Sequence, residues 1–141
     1  KTMKGPPSQS TQNQLTEEQI IQSFKSMVSE CQAIRRKIAE LEQESSEHLL
    51  VIETLEHAEK SRKAFRLIGG ILVQKTVGEI LPDVKKNLEG IKQVLSHLES
   101  DLKTKEDTAS KWKETYNIRT QNEVQNSKKQ TMQQSSNGLL V

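Results

Sequence analysis

The sequence predicts a mainly α-helical chain: a long antiparallel two-helix coiled coil joined by one β-hairpin. Three observations carry this. Two long stretches repeat apolar residues in alternating steps of three and four. Between them the pattern changes to two β-prone runs around Gly69-Gly70. Both ends of the chain are polar and have no apolar repeat.

The first helix is expected over 16–61. Thr16-Glu17-Glu18-Gln19 reads as a capping box, in which the threonine hydroxyl and the glutamine side chain satisfy backbone donors reciprocally. Leu15 and Ile20 flank it as a hydrophobic staple, and Glu17 and Glu18 suit the positive end of a helix dipole. Ile20, Phe24, Met27, Cys31, Ile34, Ile38 and Leu41 then follow the heptad frame. Ser45 and His48 interrupt it before Ile52 and Leu55 resume. A period of about 3.5 residues sustained this long is the coiled-coil pattern. Ser45 and His48 either fix the register or loosen the middle of the coil.

The second helix, 76–117, repeats the pattern from Leu81 through Val84, Leu88, Ile91, Leu95, Leu98 and Leu102. It continues past a charged exception, Lys105, to Ala109, Trp112 and Tyr116. Thr76-Val77-Gly78-Glu79 is a second capping box. Pro82 removes a backbone donor, so a short turn and then a kink or restart at Pro82 are expected. Asn117 is the expected terminator. Each arm is about 60 Å long at helical rise. Folded back antiparallel, the arms bring Arg35 near Glu106 and Lys37 near Asp101, while Glu42 meets Glu99 unfavourably. A parallel homodimer through each helix is the alternative, with the hairpin as an interruption.

The hairpin, 64–75, places Phe65, Leu67 and Leu72 on one face and Ile68, Ile71 and Val73 on the other. Both faces are therefore apolar. An isolated two-stranded hairpin is marginal in water, and its edges carry unpaired hydrogen-bonding groups. The sequence thus calls for strands from other subunits. Residues 1–14 and 120–141 read as disordered tails rich in Gln, Asn and Ser, with Leu139, Leu140 and Val141 as a frayed end or a docking tag.

Composition narrows the function classes. With 32% hydrophobic and 3% aromatic residues, there is too little large apolar material for a compact core. A net charge of +2 gives no strong field for nucleic acid or an anionic membrane. No stretch is long enough to span a bilayer. The first residue is Lys1 rather than Met, as in a trimmed segment, and no secretion signal stands at the start. A lone cysteine fits a reducing compartment. No phosphate-binding glycine loop is present, and His48, His57 and His97 have no partners at metal-ligand spacing. Cys31 lies in the seam, where an inert buried thiol is expected rather than a nucleophile. No cofactor, metal or catalytic residue is expected.

Residues Arg66-Leu67-Ile68-Gly69-Gly70-Ile71-Leu72-Val73, then Thr76-Val77 and Leu81-Pro82, carry a resemblance. Glu47-His48, Val51-Ile52 and Thr54-Leu55 upstream extend it, as does Asn117-Ile118-Arg119 downstream. Over residues 15–120 the chain resembles the β-type prefoldin subunits, which carry one hairpin where the α-type carries two. The resemblance implies a hetero-hexamer of α-type and β-type subunits whose hairpins join into an intersubunit β-barrel. It implies an ATP-independent chaperone that captures unfolded proteins, actin and tubulin above all, and passes them to the cytosolic chaperonin. It places the chain in the cytoplasm, with a nuclear pool left open.

Antiparallel folding gathers Ile20, Ile21, Phe24, Met27, Val28, Trp112, Tyr116 and Ile118 at the free end of the arms. These residues are the candidate client-binding tips. They hold three of the aromatics, leaving only Phe65 elsewhere. The alternative is that the tip aromatics close the coil as ordinary core. Ile20 and Ile21 are adjacent and cannot both face the seam. The rival function is a structural adaptor, with the same platform and arms that hold fixed partners.

Overall fold

The computed structural model describes residues 14–138. The element order is α1 (Glu17–Glu56), β1 (Lys63–Ile68), β2 (Ile71–Thr76), α2 (Val77–Thr115) and α3 (Gln121–Gly138). The chain divides into two compact units, one of Ser29–Glu106 and one built from the segments up to Val28 and from Asp107 onward.

In the unit of Ser29–Glu106, Cys31, Leu41, Val77, Ile80, Val84 and Leu88 are buried. Ile34, Ile38, Ile52, Leu55, Ile91, Leu95, Leu98 and Leu102 are half-buried. The heptad positions thus form a narrow seam, as a two-helix pairing requires. Three ion pairs fix its direction. Glu56 meets Lys85 at 2.9 Å, Arg35 meets Glu106 at 2.5 Å, and Glu30 meets Lys105 at 2.8 Å. From the Glu56–Lys85 pair to the Arg35–Glu106 pair the partner advances along α2 as the position retreats along α1, so the helices run antiparallel; Glu30–Lys105 lies at the same end as Arg35–Glu106. Each exposed pair contributes about 0–1 kcal/mol, enough to choose a register but not to create the pairing.

Lys105 interrupts the apolar frame without cost to itself. Its hydrogen bond to the Glu30 carboxylate raises its pKa and keeps it charged. The expected Lys37–Asp101 pair does not form. Lys37 turns instead to Glu40 at 3.7 Å and Asp101 to His97 at 3.7 Å. Both partners lie one turn away on the same helix, where side chains already meet. His48 stays half-buried because its Nδ1 lies 2.8 Å from the Glu44 carbonyl oxygen on its own helix.

The α1 helix stops at Glu56, earlier than the expected residue 61. The reason lies in the chain that follows. Strand β1 starts at Lys63, so the turn carbonyls cannot be used by a longer α1. They serve α2 instead: the Val77 amide donates to the Arg62 carbonyl and the Gly78 amide to the Lys60 carbonyl, both at 2.9 Å. Two orphan donors of the first α2 turn are thereby satisfied. The Thr76 hydroxyl accepts a third bond, from the Glu79 amide at 3.3 Å.

No restart occurs at Pro82, which lies inside a continuous α2. It comes early in the helix, so it removes only one bond beyond those that any helix start leaves unmade. Burial of Ile80 and Val84 on either side holds the segment helical.

In the other unit, the Thr16–Gln19 capping box closes in both directions, at 3.0 and 3.2 Å. The α2 helix ends as the sequence suggests, with Asn117 at φ 52°. The Ile118 amide reaches back to the Lys113 carbonyl at 3.0 Å and the Asn117 amide to the Glu114 carbonyl at 3.3 Å. This is the Schellman arrangement, and asparagine tolerates its left-handed residue.

The reading of 120–141 as a disordered tail is corrected by α3. Lack of an apolar stripe argued against structure there, but local forces decide otherwise. The segment is rich in good helix formers such as Gln and Lys and has no proline. Glu123 accepts a hydrogen bond from the Thr120 amide at 3.3 Å and forms an ion pair with Lys113. The other tail reading falls on residues 1–13, outside the described residues, as do Leu139, Leu140 and Val141.

Two outcomes follow. A Cβ at Gly78 would stand 3.3 Å from the Lys60 carbonyl oxygen. Gly78→Val is therefore expected to destabilise the fold by about 1–3 kcal/mol, measured by denaturant unfolding followed by circular dichroism. The Glu123 carboxyl is held below its usual pKa, first by the Lys113 hydrogen bond and then by the Thr120 amide. Its contribution to α3 is present above the ordinary carboxylate pKa and lost as the pH falls through the lowered value. Acid titration of the helical signal should show this loss, and Glu123→Gln should remove the pH-dependent part.

Candidate functional site

The hairpin closes through Gly69 and Gly70 at φ 56° and 82°. Two successive positive-φ residues make the turn whose twist matches a two-residue hairpin, and glycine takes that conformation without strain. The register pairs Ile68 with Ile71, Arg66 with Val73, Leu67 with Leu72 and Phe65 with Gln74. Side chains alternate across the sheet, so Phe65, Leu67 and Leu72 share one face, as the sequence suggests. That face is open: the three residues are 65%, 70% and 64% exposed.

The second face is less apolar than the sequence alone implies. Arg66 and Lys75 lie on it, and each reaches the Asp83 carboxylate of α2 at 3.6 Å. This double bridge leans the hairpin on the start of α2 and leaves Val73 half-buried. Ile68 and Ile71, next to the turn, remain exposed. A two-stranded sheet also has two free edges. Exposed apolar side chains beside unpaired backbone groups are what a pairing surface offers.

All eight candidate tip residues lie in the second unit. The Trp112 indole Nε1 donates to the Ile20 carbonyl oxygen at 3.1 Å. Its ring lies 4.6 Å from that of Tyr116, tilted by 52°. Ile20, Phe24, Met27, Val28, Trp112 and Ile118 are half-buried. Ile21 and Tyr116 are exposed, at 41% and 39%. Of the adjacent isoleucines, then, Ile20 turns inward and Ile21 outward. Trp112 and Ile20 tie this end together, whereas Ile21 and Tyr116 present apolar surface to water.

The sequence reading gives no role to the exposed apolar run Leu49, Leu50 and Val51, near the end of α1. They lie off the heptad frame, in positions otherwise polar. Three consecutive apolar residues on a coiled-coil helix were the available signal. The role of Asp83 was not legible, because the Arg66 and Lys75 bridges depend on how the hairpin leans. Among the described residues no group of His, Cys, Asp and Glu could hold a metal ion, and no helix is long and apolar enough to cross a membrane.

Residues 18–123 match the prefoldin subunit family. The match contains both apolar surfaces and the whole hairpin. A protein of Dictyostelium discoideum named probable prefoldin subunit 2 is 47% identical over 95 residues, covering 66% of this chain and 82% of the relative. Prefoldin subunit 2 of Homo sapiens is 37% identical over 130 residues, covering 88% of this chain and 84% of the relative. The crystal structure of the prefoldin β subunit from Thermococcus strain KS-1 superposes with a TM-score of 0.62 at 14% identity, over 70% of this chain and 87% of that one. At that identity the superposition speaks for the fold alone. Two long helices around one hairpin, matched by the family over residues 18–123 and by close relatives over most of the chain, place this chain in the prefoldin subunit family.

Proposed function

We propose that the chain is the β-type subunit, of the prefoldin subunit 2 kind, in a hetero-hexameric chaperone. It contributes one hairpin to a barrel shared with α-type and other β-type subunits. The complex captures unfolded proteins such as actin and tubulin in the cytoplasm and delivers them to the cytosolic chaperonin without ATP. The observation that carries this reading is the open hairpin face, Phe65, Leu67 and Leu72, between two free strand edges. Each of these side chains gains about 1.5–3 kcal/mol when fully buried, so leaving them in water favours association with strands of similar character. The resemblance of the hairpin block to β-type subunits supports the same assignment.

Ile21 and Tyr116 serve as the outermost client contacts, backed by Ile20, Phe24, Met27, Val28, Trp112 and Ile118. Apolar contacts of this size are weak singly, and several subunits around one client raise the affinity through multivalency. Methionine at position 27 adapts to varied surfaces. No bound nucleotide, metal or other cofactor enters this mechanism, which rests on burial alone. The bond from Trp112 to the Ile20 carbonyl favours one rival: arms that stay closed and hold fixed partners, as in a structural adaptor.

Two experiments test this reading. The pair Leu67→Lys with Leu72→Glu keeps an attractive cross-strand pair while removing the apolar face. Native mass spectrometry with α-type and β-type partner subunits should show that the double variant no longer enters the complex, with its helix content unchanged. Normal incorporation would refute the barrel. For capture, Ile21→Ser with Tyr116→Ser should leave assembly intact and reduce suppression of actin aggregation about tenfold in effective concentration, since burial of one such side chain is worth a factor of that order. An adaptor would suppress neither actin nor unrelated unfolded proteins, with or without these substitutions.

A further inference from the structure

Charge is not spread evenly along the chain. Residues 108–138 carry five cations and two acids, a local charge of +3, whereas the whole chain has +2. This excess lies in the unit that holds the eight tip residues and α3. Along one side of α3 runs an open groove of about 440 Å³, bordered by Arg119, Val124, Ser127, Lys128, Thr131 and Met132. From Val124 onward the bordering residues follow helical spacing, so they share one face of α3.

The floor of this groove is apolar. The Ser127 hydroxyl donates to the Glu123 carbonyl at 2.9 Å and the Thr131 hydroxyl to the Ser127 carbonyl at 2.8 Å. Both hydroxyls are thus engaged on their own helix. What remains is the carbon surface between Val124, 38% exposed, and Met132, 74% exposed. The rim is cationic, and no acid borders the groove. Glu123 is the only acid of 119–138, and it is drawn to Lys113. Arg119 and Lys128 are left without an ion pair among the described residues. From Val124 to Met132 the floor is about 12 Å long at helical rise, the reach of about four extended residues.

We infer that this groove takes short acidic stretches of unfolded client chains. A client places one apolar side chain on Val124 and Met132 and sets flanking carboxylates against Arg119 and Lys128. Charge complementarity selects this occupant. A cationic rim around an apolar floor fits a peptide that is acidic and apolar together. Nucleic acid fits less well, because Tyr116 is the last aromatic of the sequence and α3 offers no base-stacking platform. Location selects a client as its source, since α3 belongs to the same unit as Ile21 and Tyr116. The inference rests on the proposed chaperone role and adds a charge preference to a capture mechanism otherwise based on burial.

The test uses the full chain assembled with α-type and β-type prefoldin subunits. The probe is a fluorescein-labelled peptide of Glu-Leu-Glu-Gly repeats, compared by anisotropy with the same peptide carrying Gln for Glu. At low salt the acidic peptide should bind about tenfold more tightly, as two exposed charge pairs allow, and the difference should shrink as salt screens it. Arg119→Gln with Lys128→Gln should bring the two peptides within about twofold of each other. Lys92→Gln with Lys103→Gln removes the same charge from the other unit and should leave the preference intact. Val124→Ser should weaken both peptides alike, by about threefold to tenfold. Circular dichroism checks that each variant keeps its helices. Equal binding of the two peptides to wild type, or equal effects of the two double variants, would overturn the groove as an acidic-peptide site. Tighter binding of a labelled single-stranded RNA, lost in Arg119→Gln with Lys128→Gln, would overturn it in favour of nucleic acid. Suppression of actin aggregation is measured on the same complex. If suppression is normal while the peptides bind alike, the groove fails and the chaperone role stands; if the complex suppresses no aggregation, the chaperone role itself falls, and the client inference with it.

Discussion

Two short hydrogen bonds hold the architecture of the larger unit together. The amides of Val77 and Gly78 donate to the carbonyls of Arg62 and Lys60, tying the exit of the hairpin to its entrance. Without that closure, the first turn of α2 would leave donors unsatisfied beside Val77, the most deeply buried of the described residues at 2%. With it, α2 begins beside the loop that ends α1, and the helices have to run back along each other. Gly78 is the sequence's accommodation to this closeness, since a side chain there would press on the Lys60 carbonyl. The Asp83 bridges to Arg66 and Lys75 then lean the strands against α2.

Once the helices are side by side, little further force is needed. The seam is narrow, and its buried residues are small or aliphatic, such as Cys31, Leu41, Val84 and Leu88. Exposed ion pairs select the register, because each is too weak to do more. Large apolar side chains are scarce in this chain, and many of them lie on the hairpin and the nearby turns of α1, where they remain in water. A fold that leaves its apolar residues outside is incomplete as a monomer. Assembly is therefore part of its folding thermodynamics and not an addition to it.

Much of this was legible in the sequence, and the reasons are specific. Heptad spacing, the Thr16–Gln19 box, the Gly69-Gly70 turn and the Asn117 terminator are local signals, and each reports a local geometry. The Arg35–Glu106 pair was also legible, because an antiparallel register is a simple count from the turn. The length of α1 was not, since it depends on which carbonyls α2 needs. The α3 helix was not legible, because its segment carries no apolar stripe, whereas the Thr120, Glu123 and Lys113 contacts set it locally. The eight candidate tip residues lie in one unit, but the sequence could not divide them. The indole bond to Ile20 separates those that close the end from Ile21 and Tyr116, which stay open.

Cys31 has a practical consequence. It is the sole cysteine of the chain and is only 3% exposed, in the seam of the larger unit. A thiol reagent can reach it only when the surrounding helical turns separate, so the rate of its modification is a clock for opening of the seam. Nature has thus supplied a single-site probe that needs no engineering. It distinguishes local fraying from global unfolding by its dependence on denaturant, and it reports whether a bound partner or client tightens the helices or draws them apart.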